Sequence, residues 1–103
     1  MQTNHRTLRR RPLPSGEVYE DANARYSKLV RAIAAEQQCD LCDVRKVFEP
    51  FDDETLARLL LPEPDVLHLS EEGNRVYADA IWPHVSAAVE RVLARASAKE
   101  AAA

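Results

Sequence analysis

The segment Cys39–Val44, CDLCDV, constrains this chain more than any other part of it. It reads as one short β-strand. A lone strand leaves its ladder N–H and C=O groups unpaired, and even two strands are marginal by themselves. The other candidate strand, RTLRRRPLP at 6–14, is too polar and proline-rich for the centre of a sheet. Two solutions remain. Either the strand pairs with another chain, or the chain is part of a larger α/β domain.

The rest of the sequence reads as helix and loop. A first helix is expected from about Glu17 to Gln37, with Ser15 as its N-cap and Glu17 and Glu20 near its positive end. Ala22, Tyr26, Leu29, Val30 and Ile33 recur at helical spacing and form one apolar stripe. A small helix is expected at Asp53–Leu60, capped by Asp52, with Leu56, Leu59 and Leu60 turned inward. Prolines 62 and 64 make LPEPDVLHL an irregular loop. The last helix opens after Ser70, with Glu71 and Glu72 in its first turn. Its stripe runs from Val76 and Tyr77 through Ala80, Ile81, Val85, Ala88 and Val89 to Val92, and the helix ends near Leu93. Pro83 removes a backbone donor there and is expected to kink or split it near Ile81–Trp82. Residues 1–14 read as a basic, poorly ordered tail, 15–94 as the folded part and 95–103 as a fraying end.

Composition narrows the function classes. At 103 residues, 46% hydrophobic and 30% charged, the chain suits one small soluble domain. Two glycines leave no material for a Gly-rich phosphate loop. No apolar run approaches the roughly 20 residues that span a bilayer. The N-terminus has arginines but no apolar stretch after them, so it does not read as a signal peptide, and a cytoplasmic location is expected. Net charge is −3. Arg6, Arg9, Arg10 and Arg11 are four of the fourteen Lys/Arg, so ten face seventeen Asp/Glu in the remainder. An acidic body without a basic stripe argues against a nucleic-acid partner. Cys39 and Cys42 form a lone CxxC pair. Zinc needs more ligands than these two, and positions i and i+3 of a strand point to opposite faces, so both read as buried structural thiols. No metal or cofactor is expected.

The chemistry concentrates at Asp65 and His68. A histidine acting as general base near neutral pH needs a fixed tautomer and a stabilised charged form. A carboxylate hydrogen-bonded to one ring nitrogen supplies both. An Asp-x-x-His spacing in a tight loop lets one turn present both groups while the other ring nitrogen faces a cleft. Ser70 reads as the helix cap and not as a nucleophile, and Gly73 as a close-packing position in the first turn.

PDVLHLSEEGNRVYADAIWPHV resembles the C-terminal block of the SGNH hydrolases, the GDSL-type esterases and lipases. That block runs Asp-x-x-His, then Leu or Pro, Ser or Asn, two variable residues, Gly, and an amphipathic helix. Asp65, His68, Leu69, Ser70 and Gly73 match it in order. Val66 stands where the family often has Gly. Upstream, ANARYSKLVRAIAAEQQCDLCDVRKVF is similar to the helix–strand unit that precedes the block, so the resemblance covers about Glu17 to Leu93. It implies the C-terminal portion of a flavodoxin-like three-layer α/β/α fold, mostly helical here with one or two short strands. It also implies that His68 is the general base and Asp65 its orienting partner. The family's G-D-S nucleophile and G-x-N-D oxyanion-hole blocks are missing, and Ser15, Ser27, Ser70, Ser86 and Ser97 lie in no such context. The chain alone is therefore expected to be inactive. A small carboxylic ester is the implied substrate if a homo-oligomer or a Ser-bearing partner chain completes the site. The alternative is a non-catalytic interaction module that buries its orphan strand and open helix faces in another chain.

Overall fold

The computed structural model describes residues 1–102. Four helices follow one another: α1 Tyr19–Glu36, α2 Val44–Phe48, α3 Asp53–Leu59 and α4 Glu71–Ala102. Helices make up 61% of the described residues, and the only extended pairings among them are three isolated bridges. The expected α/β fold is thereby corrected: the described residues form no sheet and no layered α/β/α arrangement.

The segment read as a strand shows why. Cys42 alone pairs, in parallel with Gln2, through Cys42 N–H to Met1 O at 2.8 Å and Thr3 N–H to Cys42 O at 3.2 Å. The next residue, Asp43, turns its carboxylate onto the Lys46 amide and starts α2. An Asp N-cap takes up an orphan amide and ends the extended run. The partner that the sequence reading could not find is the N-terminal segment, joined to Cys42 by the α1 crossover.

α1 starts two residues later than expected. Ser15 does not cap it, because Leu13–Glu17 closes as a turn, with Gly16 at φ +89° and its N–H on Leu13 O. The helix ends in a Schellman motif with Gln38 at φ +53°: Cys39 N–H reaches Ala34 O and Gln38 N–H reaches Ala35 O. Its buried side is also displaced. Ala22, Asn23, Ser27 and Ala34 are buried, while Tyr26, Leu29 and Ile33 remain exposed.

α1 buries only small or polar residues, and its polar ones grip the N-terminal segment. Glu20 accepts from Thr7 N–H at 2.9 Å and from Asn23 Nδ2 at 3.0 Å, and meets Arg45 at 3.4 Å. Asn23 Nδ2 also donates to His5 O. Thr3 Oγ1 donates to Asp43, and Arg31 makes a two-pronged contact with the same carboxylate. Burial works against the charge on Asp43, but Arg31 and Thr3 outweigh it and hold its carboxyl below the usual range. Arg6 spreads one Nη1 over the carbonyls of Phe48, Glu49 and Phe51, capping α2 with a cation.

The apolar core is small: Cys42, Val44, Phe48, Leu56, Leu59 and Leu60, with Val76, Tyr77 and Ile81 of α4 packed against it. α3 follows its expectation, with Asp52 accepting from Thr55 N–H at 2.8 Å and all three leucines buried. α4 is continuous through Pro83 and extends past Leu93 to Ala102. Among the described residues, no helix is long and apolar enough to cross a membrane.

Candidate functional site

The loop between α3 and α4 carries the site. Leu60 and Leu69 form an antiparallel bridge at its neck, with Leu61 N–H on His68 O at 2.8 Å and Ser70 N–H on Leu59 O at 2.9 Å. Eight residues thus leave and return at one point, and Pro62 and Pro64 restrict what lies between. Two N-terminal contacts brace the loop from the side. Leu8 N–H donates to Val66 O at 3.1 Å, and His5 Nε2 donates to Leu67 O at 2.8 Å. The His5 ring lies against Phe48 and edge-on to Tyr77.

Within this frame Asp65 and His68 meet. His68 Nδ1 is 2.8 Å from Asp65 Oδ2. Asp65 Oδ1 accepts from the backbone N–H of Leu67 at 2.9 Å and of His68 at 2.7 Å. The carboxylate is fixed by the turn it initiates, so it presents its second oxygen to the ring at a set angle. The His68 hydrogen bond, followed by those of the two amides, lowers the Asp65 carboxyl to about 2. An ionised carboxylate only accepts, so Nδ1 carries the proton and the lone pair of neutral His68 sits on Nε2. Nε2 makes no hydrogen bond among the described residues. It belongs to an exposed side chain that lines a cleft of about 600 Å3 with Asn4, His5, Asn23, Asn74 and Tyr77.

Val66 lies between the two residues at φ +44°, a left-handed conformation that β-branched side chains resist. Its side chain is nonetheless buried.

Ser70 is the helix cap. Its Oγ accepts from Gly73 N–H at 3.1 Å and donates to Arg58 O at 2.7 Å, so the hydroxyl is committed on both sides. Gly73 lies so close to α3 that a Cβ there would stand 1.9 Å from Leu59 O. Both residues hold α4 against α3 behind the loop.

The nucleophile is missing in space as well as in sequence. No hydroxyl or thiol hydrogen-bonds His68 among the described residues. Ser27 is buried in α1, and Thr7 Oγ1 is engaged by Arg9 N–H. Cys42 is buried, and burial pushes its thiol up. Cys39, expected to be buried, is exposed, because the chain leaves α1 through Gln38 instead of running as a strand. Trp82 lies 65% exposed on α4.

The sequence reading singled out Asp65 and His68, and the structure brings them together. His5 carries no periodicity and no signal in the sequence, and Glu20 reads there only as an acid near the start of the helix; in the structure His5 joins the N-terminal segment to the loop, while Glu20 and Asn23 join that segment to α1. An α/β hydrolase scaffold with its site on strand ends is not what positions the pair; a helix–loop–helix corner does. No family model, curated protein or solved structure matches the chain.

Proposed function

We propose that this chain carries the acid–base half of an SGNH/GDSL-type serine esterase site, as a C-terminal fragment of such an enzyme without its nucleophile. The observation that carries the reading is the geometry of His68. Nδ1 is bonded to an Asp65 carboxylate that two amides hold from behind, and Nε2 has no hydrogen-bond partner among the described residues, on an exposed side chain that lines a cleft. That is the arrangement a general base needs. In the complete reaction, Nε2 takes the proton of an attacking hydroxyl as its oxygen bonds to the ester carbonyl, and returns it to the departing alcohol, leaving the acyl group on that oxygen. Nε2 then takes a proton from water as the water attacks the acyl group and returns it to the departing hydroxyl, which releases the acid; Asp65 stabilises the imidazolium formed in each half. The hydroxyl and the donors for the tetrahedral oxyanion come from another segment, and a small carboxylic ester is the substrate class. We place the chain in the cytoplasm, on the support of two free cysteines, which a reducing compartment maintains.

The test joins the chain to the product of the reading frame directly upstream of Met1 and follows p-nitrophenyl ester hydrolysis. The expected result is no His68-dependent turnover by the chain alone and turnover in the joined form, lost in His68→Ala. Robust turnover by the chain alone that disappears in His68→Ala would contradict the half-site. So would an upstream frame without a G-D-S segment.

A second reading, an interaction module, is favoured by a separate observation. Tyr26, Leu29 and Ile33 on α1, and Trp82, Val85, Val89, Val92 and Leu93 on α4, are large apolar residues left in solvent.

A further inference from the structure

The exposed apolar residues of α4 are ordered. Ala78, Trp82, Val85, Val89, Val92 and Ala96 are all exposed and follow one another at intervals of 4, 3, 4, 3 and 4. They lie on the side of α4 turned away from the core, which receives Gly73, Val76, Tyr77 and Ile81. Alternating steps of three and four are the a/d pattern of a helix that packs along a second helix. The stripe is about 27 Å long at 1.5 Å per residue and contains no charged residue.

We infer that this face of α4 packs antiparallel against the same face of a second copy of the chain. Two features of α4 select that occupant and direction. First, the spacing of the stripe is symmetric about a midpoint at Ala87. Ala78 then opposes Ala96, Trp82 opposes Val92 and Val85 opposes Val89, each pairing repeated by the two-fold axis. A parallel arrangement would stack Trp82 on Trp82 and Ala96 on Ala96, leaving the contact uneven. Second, the charges of α4 are segregated. Residues 71–79 hold Glu71, Glu72 and Asp79 against Arg75, a net −2, and residues 90–100 hold Arg91, Arg95 and Lys99 against Glu90 and Glu100, a net +1. Antiparallel packing sets the acidic end beside the basic end and opposes the helix dipoles; parallel packing sets like beside like. The inference rests on the interaction-module reading and gives it an occupant; it is independent of the Asp65–His68 chemistry.

Light scattering on the full chain reads the assembly. The mass is expected at twice the 11.6 kDa of one chain, and at one chain in Val89→Glu, an exposed position whose helix content circular dichroism will show retained. Zero-length carbodiimide coupling reads the direction. Lys99 is expected to join Glu71, about 42 Å away along a single helix and therefore reachable only in a second copy. A wild-type monomer up to about 1 mM would overturn both this packing and self-association as such. A dimer that survives Val89→Glu, or that yields no Lys99 coupling to Glu71, would overturn this packing and leave self-association by another face, such as Tyr26–Ile33 of α1.

Discussion

Asp65 is an unusual acid on an ordinary loop. Three donors converge on its carboxylate, and they lower its pKa from 3.8 to about 2. A depressed folded-state value means that its contribution is complete above the unfolded value and is lost as the pH falls through the folded one. The loop is therefore expected to keep its Asp65–His68 bond well below pH 4 and to release it only near pH 2. A carboxyl 13C titration checks this, and an Asp65 midpoint near 4 would show that the bond does not form. Val66 makes a second residue-scale claim. The left-handed backbone costs a β-carbon residue roughly 1–2 kcal/mol, whereas the freedom of an unfolded glycine costs about 0.5–1 kcal/mol. Val66→Gly should then be more stable than Val66→Ala by up to about 1 kcal/mol in urea unfolding. Comparing those two variants removes the buried side chain from both sides. The reverse order would show that the loop does not hold this conformation.

At the scale of elements, the α3–α4 corner is what turns a loop into a site. Gly73 allows the two helices to touch backbone to backbone, and a methyl group there meets a carbonyl that cannot move cheaply. Overpacking of this kind costs about 1–3 kcal/mol or more, so Gly73→Ala should lower stability by at least that range and disturb the His68 resonances with it. A Gly73→Ala protein of unchanged stability would mean that α3 and α4 meet elsewhere. The N-terminal clamp is the other critical junction. Glu20→Ala strands the mostly buried Arg45 and the Thr7 amide. Breaking a buried pair from one side costs about 3 kcal/mol or more, and Glu20→Gln should recover part of the loss through its remaining hydrogen bonds. Chemical denaturation of the two variants separates the cases. These junctions also show what was legible in the sequence. Asp52 and Ser70 announced their helices, since a cap is a local device. Leu56, Leu59 and Leu60 declared the core by periodicity. The stripe of α1 misled, because its partners are the backbone and polar side chains of residues 3–9, and these reward Asn23 and Ser27 over Tyr26 and Leu29.

In the whole molecule, the Asp65–His68 loop stands beside helices whose large apolar residues remain in solvent. The extended segments at Gln2 and Cys42 make one parallel bridge and stop, which is why a strand-based fold was expected and is not present. A single extended pairing needs little sequence to specify it, and Asp43 ends it at once. The site was legible at whole-molecule scale only as a spacing, Asp65-x-x-His68. The clamp that braces it spans from His5 to Leu67, a long-range contact between residues with no pattern in common. The central claim is that Asp65 sets the proton of His68 and leaves the other nitrogen free for a nucleophile. Nitrogen-15 chemical shifts of neutral His68 test it directly. The account predicts the Nδ1–H form in the wild-type chain and its loss in Asp65→Ala. A wild-type His68 protonated on Nε2, unchanged by Asp65→Ala, would contradict it.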